Sequence, residues 1–140
     1  MKEYDVDAGQ VETILITTSG DVVKARQAVR TQAQRTGLSL VNQTKLVTAA
    51  SELGRNTLLY GGGGRARIAV VAQGGRKGVW ARFEDEGPGI ADMDLALTDG
   101  WTSGNGMGLG LSGARRLVDE FEIESAAGRG TTVSVVKWAR

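Results

Sequence analysis

The sequence predicts a two-layer α/β sandwich of the α+β kind, with a mixed, mostly antiparallel sheet carrying helices on one face. Three observations predict it. Short runs of alternating apolar and polar residues recur at strand length, at 11–18, 66–73, 78–85, 121–126 and 130–138. Two longer segments between the first and second of these repeat apolar residues at helical spacing. The resulting order, β-α-α-β-β-α-β-β, groups helices and strands instead of alternating them as a parallel sheet requires. With 140 residues, 41% of them hydrophobic, the chain is the size of one domain with one core. Neither a repeat nor a linker divides residues 1–140.

Each element has its own signal. In "VETILITT" Ile14 and Ile16 alternate with Val11, Thr13, Leu15 and Thr17, which reads as a strand. Ser19 and Asp21 offer capping oxygens for a helix to about Arg35, with Val22, Val23, Arg26 and Val29 at helical spacing and Gly37 as its stop. Ser39 caps a second helix over 40–59, whose apolar line is Leu46, Ala49, Ala50, Leu53 and Leu58. The glycines 61–64 end it, and they read as a helix stop rather than as a site. "ARIAVVAQ" and "GVWARFED" form a hairpin across a Gly-Gly-Arg-Lys turn, and Pro88, the sole proline, follows the second strand. Residues 90–103 read as a short helix and an irregular segment. A third helix is expected from about Gly108 to Glu120, with Leu111, Ala114, Leu117 and Val118 on one face. The last two strands flank the turn at 127–129.

Composition removes whole classes of chemistry. The 17 basic and 16 acidic residues nearly cancel, and the arginines, Arg26 and Arg30 among them, are scattered, so nothing points to nucleic acid or a membrane surface. No apolar run is long enough to span a bilayer, and "MKEYDVDAGQ" is too acidic for a signal peptide, so a cytoplasmic protein is expected. With no Cys and no His, thiolate or imidazole nucleophiles, bases and metal ligands are all excluded. Any general base is then a carboxylate, and any metal a hard, oxygen-ligated ion such as Mg²⁺.

Four places carry possible chemistry. In "SELGRN", Glu52 and Asn56 stand one turn apart on a single helix face, a proton acceptor beside an amide oxygen suited to a hard cation. A polar pair on a solvated face has the same pattern. In "DEGPG", Asp85 ends a strand where it can accept from an exocyclic amine, with Gly87 and Gly89 beyond it; an ordinary turn has those residues too. The run "GNGMGLGLSG" contains a GxGxxG match at Gly108, Gly110 and Gly113. It follows no strand and precedes no βαβ unit, as a dinucleotide fold would require. No GxxxxGK[ST] exists, and a chain without His has no HRD segment. What remains is a glycine loop feeding backbone N–H groups into a helix start, or a linker. Last, "GRGTTV" places Thr131 at a strand start, a position that is more often structural. The tryptophans 80, 101 and 138 read as packing or partner surface.

In this order and spacing the four motifs resemble the GHKL (Bergerat) ATP-binding fold. That family spans histidine kinases, type II topoisomerases, Hsp90, mismatch-repair ATPases and small bacterial anti-sigma kinases. The resemblance covers about residues 11–140. A histidine kinase needs a His-bearing helix, and topoisomerases and chaperones need further domains. The free-standing domain is therefore similar to the serine/threonine kinases of partner-switching systems. "LVTAASELGRNTLLYGGGG", "FEDEGPGI", "LVDEFEIESAAGRGTTV" and "VVKWAR" look most like the stressosome switch kinases.

The resemblance implies phosphorylation of a Ser or Thr on a STAS-domain antagonist, with a PP2C-type phosphatase as a further partner. The other class it allows is a nucleotide-dependent binding module without catalysis. It implies Glu52 as general base, Asn56 as Mg²⁺ ligand, Asp85 as partner of the adenine amine, and Gly87 and Gly89 as room for the ring. Gly106, Gly108 and Gly110 would wrap the ATP phosphates, with Gly104, Met107 and Leu109 completing that loop. Thr131 would support the adenine end, and 92–105 would be the ATP lid, with no basic residue assigned to the γ-phosphate.

Overall fold

The computed structural model describes residues 5–6, 11–90, 97 and 110–139. Along the chain run β1 (Asp5–Val6), β2 (Glu12–Ile16), α1 (Ser19–Thr36), α2 (Leu40–Leu59), β3 (Gly64–Gln73) and β4 (Arg76–Asp85). These are followed by α3 (Gly110–Arg116), β5 (Glu120–Ser125) and β6 (Thr131–Trp138). The six strands make one sheet in the order β1-β3-β4-β6-β5, with β2 also on β3. Every pairing among the described residues is antiparallel. β1 lies against Val71 and Ala72 and β2 against Gly64 to Ile68, so the two share one edge of β3. A two-residue strand in a polar segment has no periodicity to reveal it, and β1 was not expected.

The long hairpin sets the frame. Its turn is shorter than expected: Gly74 and Gly75 alone make it, with φ of 57° and 81°, while Arg76 and Lys77 already pair with Gln73 and Ala72. Both central residues of such a tight hairpin need positive φ, which only glycine adopts at no cost. The register then carries Asp85 to the far end, opposite Gly64 on β3 and Thr131 on β6.

The helices cover one face of this sheet. Ile68, Val79, Ala81, Phe83, Val133 and Val135 from the strands meet Val29, Leu46, Leu53 and Leu111 from the helices in one buried core. In α1 the buried line is Val22, Ala25, Val29 and Ala33, whereas Val23 is exposed. The small alanines let α1 lie close to its neighbours, and the apolar stripe is rotated from the one that valines alone suggest. At Gly54 a methyl group would stand 3.1 Å from Cγ1 of Val22, which marks the close approach of α1 and α2. α1 is capped by Thr18, not by Ser19. The Thr18 hydroxyl accepts from the N–H of Asp21, and the Asp21 carboxylate accepts from the N–H of Thr17 and Thr18. α3 is shorter than expected, because Glu120 already begins β5.

The opposite face carries a second apolar cluster of Ala69, Val71, Trp80, Val136 and Trp138, with Val11 against it. Arg76 stacks over Trp138 at 4.2 Å and Arg82 over Trp80 at 5.2 Å. The expectation that Trp80 and Trp138 serve packing holds; Trp101 lies outside the described residues, as does most of the 90–103 segment. No described helix is long and apolar enough to cross a membrane.

Candidate nucleotide site

The site gathers at the end of the sheet where α2, β4 and the β5–β6 turn meet. Glu52 lies in the second half of α2, its side chain only 12% exposed, with Oε1 3.6 Å from Nη1 of Arg55. Asn56 follows one turn later, half-buried. Its carbonyl accepts from the N–H of both Tyr60 and Gly61, at 3.0 Å each, and so closes the helix. Gly62 and Gly63 then take φ of 75° and 101°, and Gly63 N–H donates to Thr57 at 2.9 Å. This tight reversal delivers the chain into β3 directly alongside Asp85.

Gly61 is the residue that joins these parts. A methyl group there would overlap the carboxyl of Asp85, and one on Gly87 would come within 2.7 Å of the Gly61 Cα. The exit of the Glu52–Asn56 helix is therefore laid flat across the Asp85 carboxylate. The glycine run was expected to be a helix stop only. It is a stop, and its first member is also packed into the site. A run of four glycines carries no sequence signal that would single one of them out.

Asp85 Oδ1 accepts from the N–H of Gly87 at 2.9 Å. Burial pushes its carboxyl above the usual aspartate value, while backbone hydrogen bonds from Gly87 and Thr131 pull the other way. The glycines beyond it are used by the protein's own backbone. Gly89 has φ of 74° and sits against the carbonyl of Ala126, and Gly130 has φ of 80° and sits against that of Asp85. Pro88 accepts from Gly128 N–H, pinning the post-β4 loop to the β5–β6 turn.

Thr131 stands opposite Asp85 in the register, and its hydroxyl lies 2.7 Å from that of Ser125. Ser125 was not foreseen. Its hydroxyl oxygen lies 2.9 Å from the carbonyl of Gly130 and accepts from Ile90 N–H at 2.8 Å, so it ties both loops around Asp85 together. An isolated serine in "FEIESAAG" gives no hint of that. Glu52, Asn56, Asp85, Gly87, Gly89 and Thr131 are thus carried by three segments that converge on one end of the sheet. Gly110 opens α3 with φ of 69°. Gly104, Gly106, Met107, Gly108 and Leu109 lie outside the described residues.

Comparison with known proteins bears on family and fold. The family model described as "Histidine kinase-, DNA gyrase B-, and HSP90-like ATPase" matches residues 41–139. The serine/threonine-protein kinase RsbT of Bacillus subtilis is 44% identical over 127 residues, 91% of this chain and 96% of that one. An anti-sigma F factor of Clostridium novyi is 28% identical over 118 residues, 81% of this chain and 82% of the relative. The solved structure of the RsbU and RsbW domains of a Mycobacterium tuberculosis protein superposes with a TM-score of 0.64 at 23% identity. It covers 93% of this chain and 33% of that longer chain, and shows the fold. The likeness to a serine/threonine-protein kinase over nearly all of both chains makes this protein an ATP-using enzyme of that class. The chain belongs to the family of histidine kinase-, DNA gyrase B- and HSP90-like ATPases.

Proposed function

We propose that this kinase transfers the γ-phosphoryl group of Mg²⁺-ATP to a Ser or Thr of a STAS-domain antagonist or scaffold protein. It thereby works a partner switch in stress or sigma-factor signalling, in the cytoplasm, and engages a PP2C-type phosphatase or its regulatory domain. Residues 1–140 act as one ATP-binding kinase domain. The observation that carries this reading is the position of Glu52. It is a shielded carboxylate, one turn from Asn56, on the helix whose exit is packed against Asp85.

In this reading Glu52 takes the proton of the attacking hydroxyl as its oxygen bonds to the γ-phosphorus and the bond from that phosphorus to the bridging oxygen of the leaving ADP breaks, and Arg55 holds the carboxylate in place. Asp85 accepts a hydrogen bond from the adenine amine. Thr131 supports it from the facing strand, and Gly87 and Gly89 let the loop after β4 pack directly on the Gly61 and Ala126 backbone beside the ring. Gly104, Gly106, Met107, Gly108, Leu109 and Gly110 wrap the phosphates with backbone amides. The donor set fits magnesium: Asn56 offers a hard oxygen, and no group of three or more acidic residues, His or Cys comes together among the described residues. That is how Mg²⁺ is commonly held, by one or two protein oxygens with water and substrate phosphates. When bound, the ion offsets phosphate charge and orients the chain for transfer.

The similarity to anti-sigma F factors favours one second reading, a nucleotide-dependent module that binds its partner without catalysis. Glu52→Ala separates the two. It should abolish transfer of labelled γ-phosphate to the STAS-domain partner while ATP affinity stays within about twofold of the parent. Normal transfer by that variant would remove Glu52 as the base.

A further inference from the structure

A groove of about 300 Å³ lies between α1 and α2, away from the Asp85 site. Arg26 and Arg30, one turn apart on α1, form one wall; Thr44, Thr48 and Ser51 on α2 form the other, with buried Val47 between them. Four arginines among the described residues are half-buried, and three have partners. Arg55 pairs with Glu52, Arg67 with Glu84, and Arg82 with Ser134 and the Trp80 ring. Arg26 has none among the described residues. A helical Ser or Thr hydroxyl can donate back to the carbonyl four residues earlier, as Thr36, Thr44 and Thr57 do here. Thr48 and Ser51 make no such bond to the described residues, which leaves two hydroxyl donors lining the same groove as the two arginines.

We infer that this groove is a phosphoryl-binding site, separate from the nucleotide site, that takes a phosphomonoester. Guanidinium forks and hydroxyl donors on opposite walls match the three outward oxygens of a phosphomonoester better than the two coplanar oxygens of a carboxylate. The volume is roughly ten times the ~30 Å³ share of one water, room for a phosphorylated side chain and adjoining backbone.

The test is an NMR titration of the full, isotope-labelled chain at matched ionic strength. The probes are inorganic phosphate, the capped tripeptide Gly-phosphoserine-Gly and its unphosphorylated counterpart. Saturable shifts are expected at the Thr48 and Ser51 amides and at the Nε of Arg26 and Arg30. They should weaken at least tenfold in the Arg26→Gln/Arg30→Gln double variant, whose unchanged ADP affinity confirms its fold. A phosphopeptide that binds tenfold tighter than phosphate identifies a phosphorylated protein as the source; equal binding identifies the free ion. Shifts that the unphosphorylated peptide or KCl reproduces, or that survive the double substitution, overturn the site. Failure of the kinase reading would appear separately, as phosphotransfer by Glu52→Ala with groove binding intact.

Discussion

Two opposing influences meet on the carboxyl of Asp85. Burial disfavours its charge and raises its pKa, and the N–H groups of Gly87 and Thr131 oppose that rise without cancelling it. A raised folded-state pKa means a stability contribution present below the unfolded value and lost as pH rises through the folded one. Adenine recognition has the opposite sign, because only the ionised carboxylate accepts freely from the amine. Nucleotide affinity should therefore fall on acidification at a higher pH than an ordinary aspartate gives. Asp85→Asn should flatten that dependence and weaken ATP binding by about 1.5–3 kcal/mol, through loss of a charge-assisted hydrogen bond. Calorimetry across pH 4–8 (roughly the carboxylate range and above) checks both, and an unchanged affinity would sink the adenine assignment. Gly61 makes a sharper case. It lacks the positive φ of Gly62 and Gly63, so Gly61→Ala acts by overlap with the Asp85 carboxyl and not by backbone strain. That variant should lose roughly tenfold in ADP affinity, about 1.4 kcal/mol, a displacement that titration of an N-methylanthraniloyl-ADP probe reads directly.

Elements with a complete local signal were legible, and those decided by a distant partner were not. α2 was read from residue 40 to 59 because Ser39, a run of helical spacing and four glycines bound it on both sides. α1 was placed equally well, but its cap was displaced by one residue: "TTSGD" offers several hydroxyls, and only the geometry selects Thr18. Thr18→Ala should cost about 1 kcal/mol of stability in urea unfolding with the slope unchanged. Asp21 completes that cap with its pKa lowered by the Thr17 and Thr18 bonds, so its contribution is present above the unfolded pKa and lost as pH falls through the folded one. β1 and the strand residues Arg76 and Lys77 were missed for a shared reason. Their extended form comes from pairing with β3, and their own polar sequence does not ask for it. The site was half legible in the same way. Glu52, Asn56 and Asp85 have chemistry that a sequence displays, whereas Gly61 and Ser125 matter only through what they touch.

Across the whole molecule, the site is a junction of segments far apart in sequence: the exit of α2, the end of β4 and the turn before β6. The elements between them are fixed by a shared core, so the junction is assembled only when the sheet and helices are. A ligand that spans it should therefore bind the folded chain alone and stabilise all of it. By mass action, ADP at a hundred times its Kd should add about 2.7 kcal/mol, which raises Tm by roughly 6–12 °C for a domain of this size. The variants divide on that measurement. Glu52→Ala should keep the full ADP-induced rise, because its proposed role lies in proton transfer and not in holding the nucleotide. Asp85→Asn should lose most of it at the same ADP concentration while its Tm without nucleotide stays level or increases, since the variant buries no charge. Loss of the rise in both variants would mean that Glu52 helps to hold nucleotide, and the division of labour between α2 and β4 would have to be redrawn.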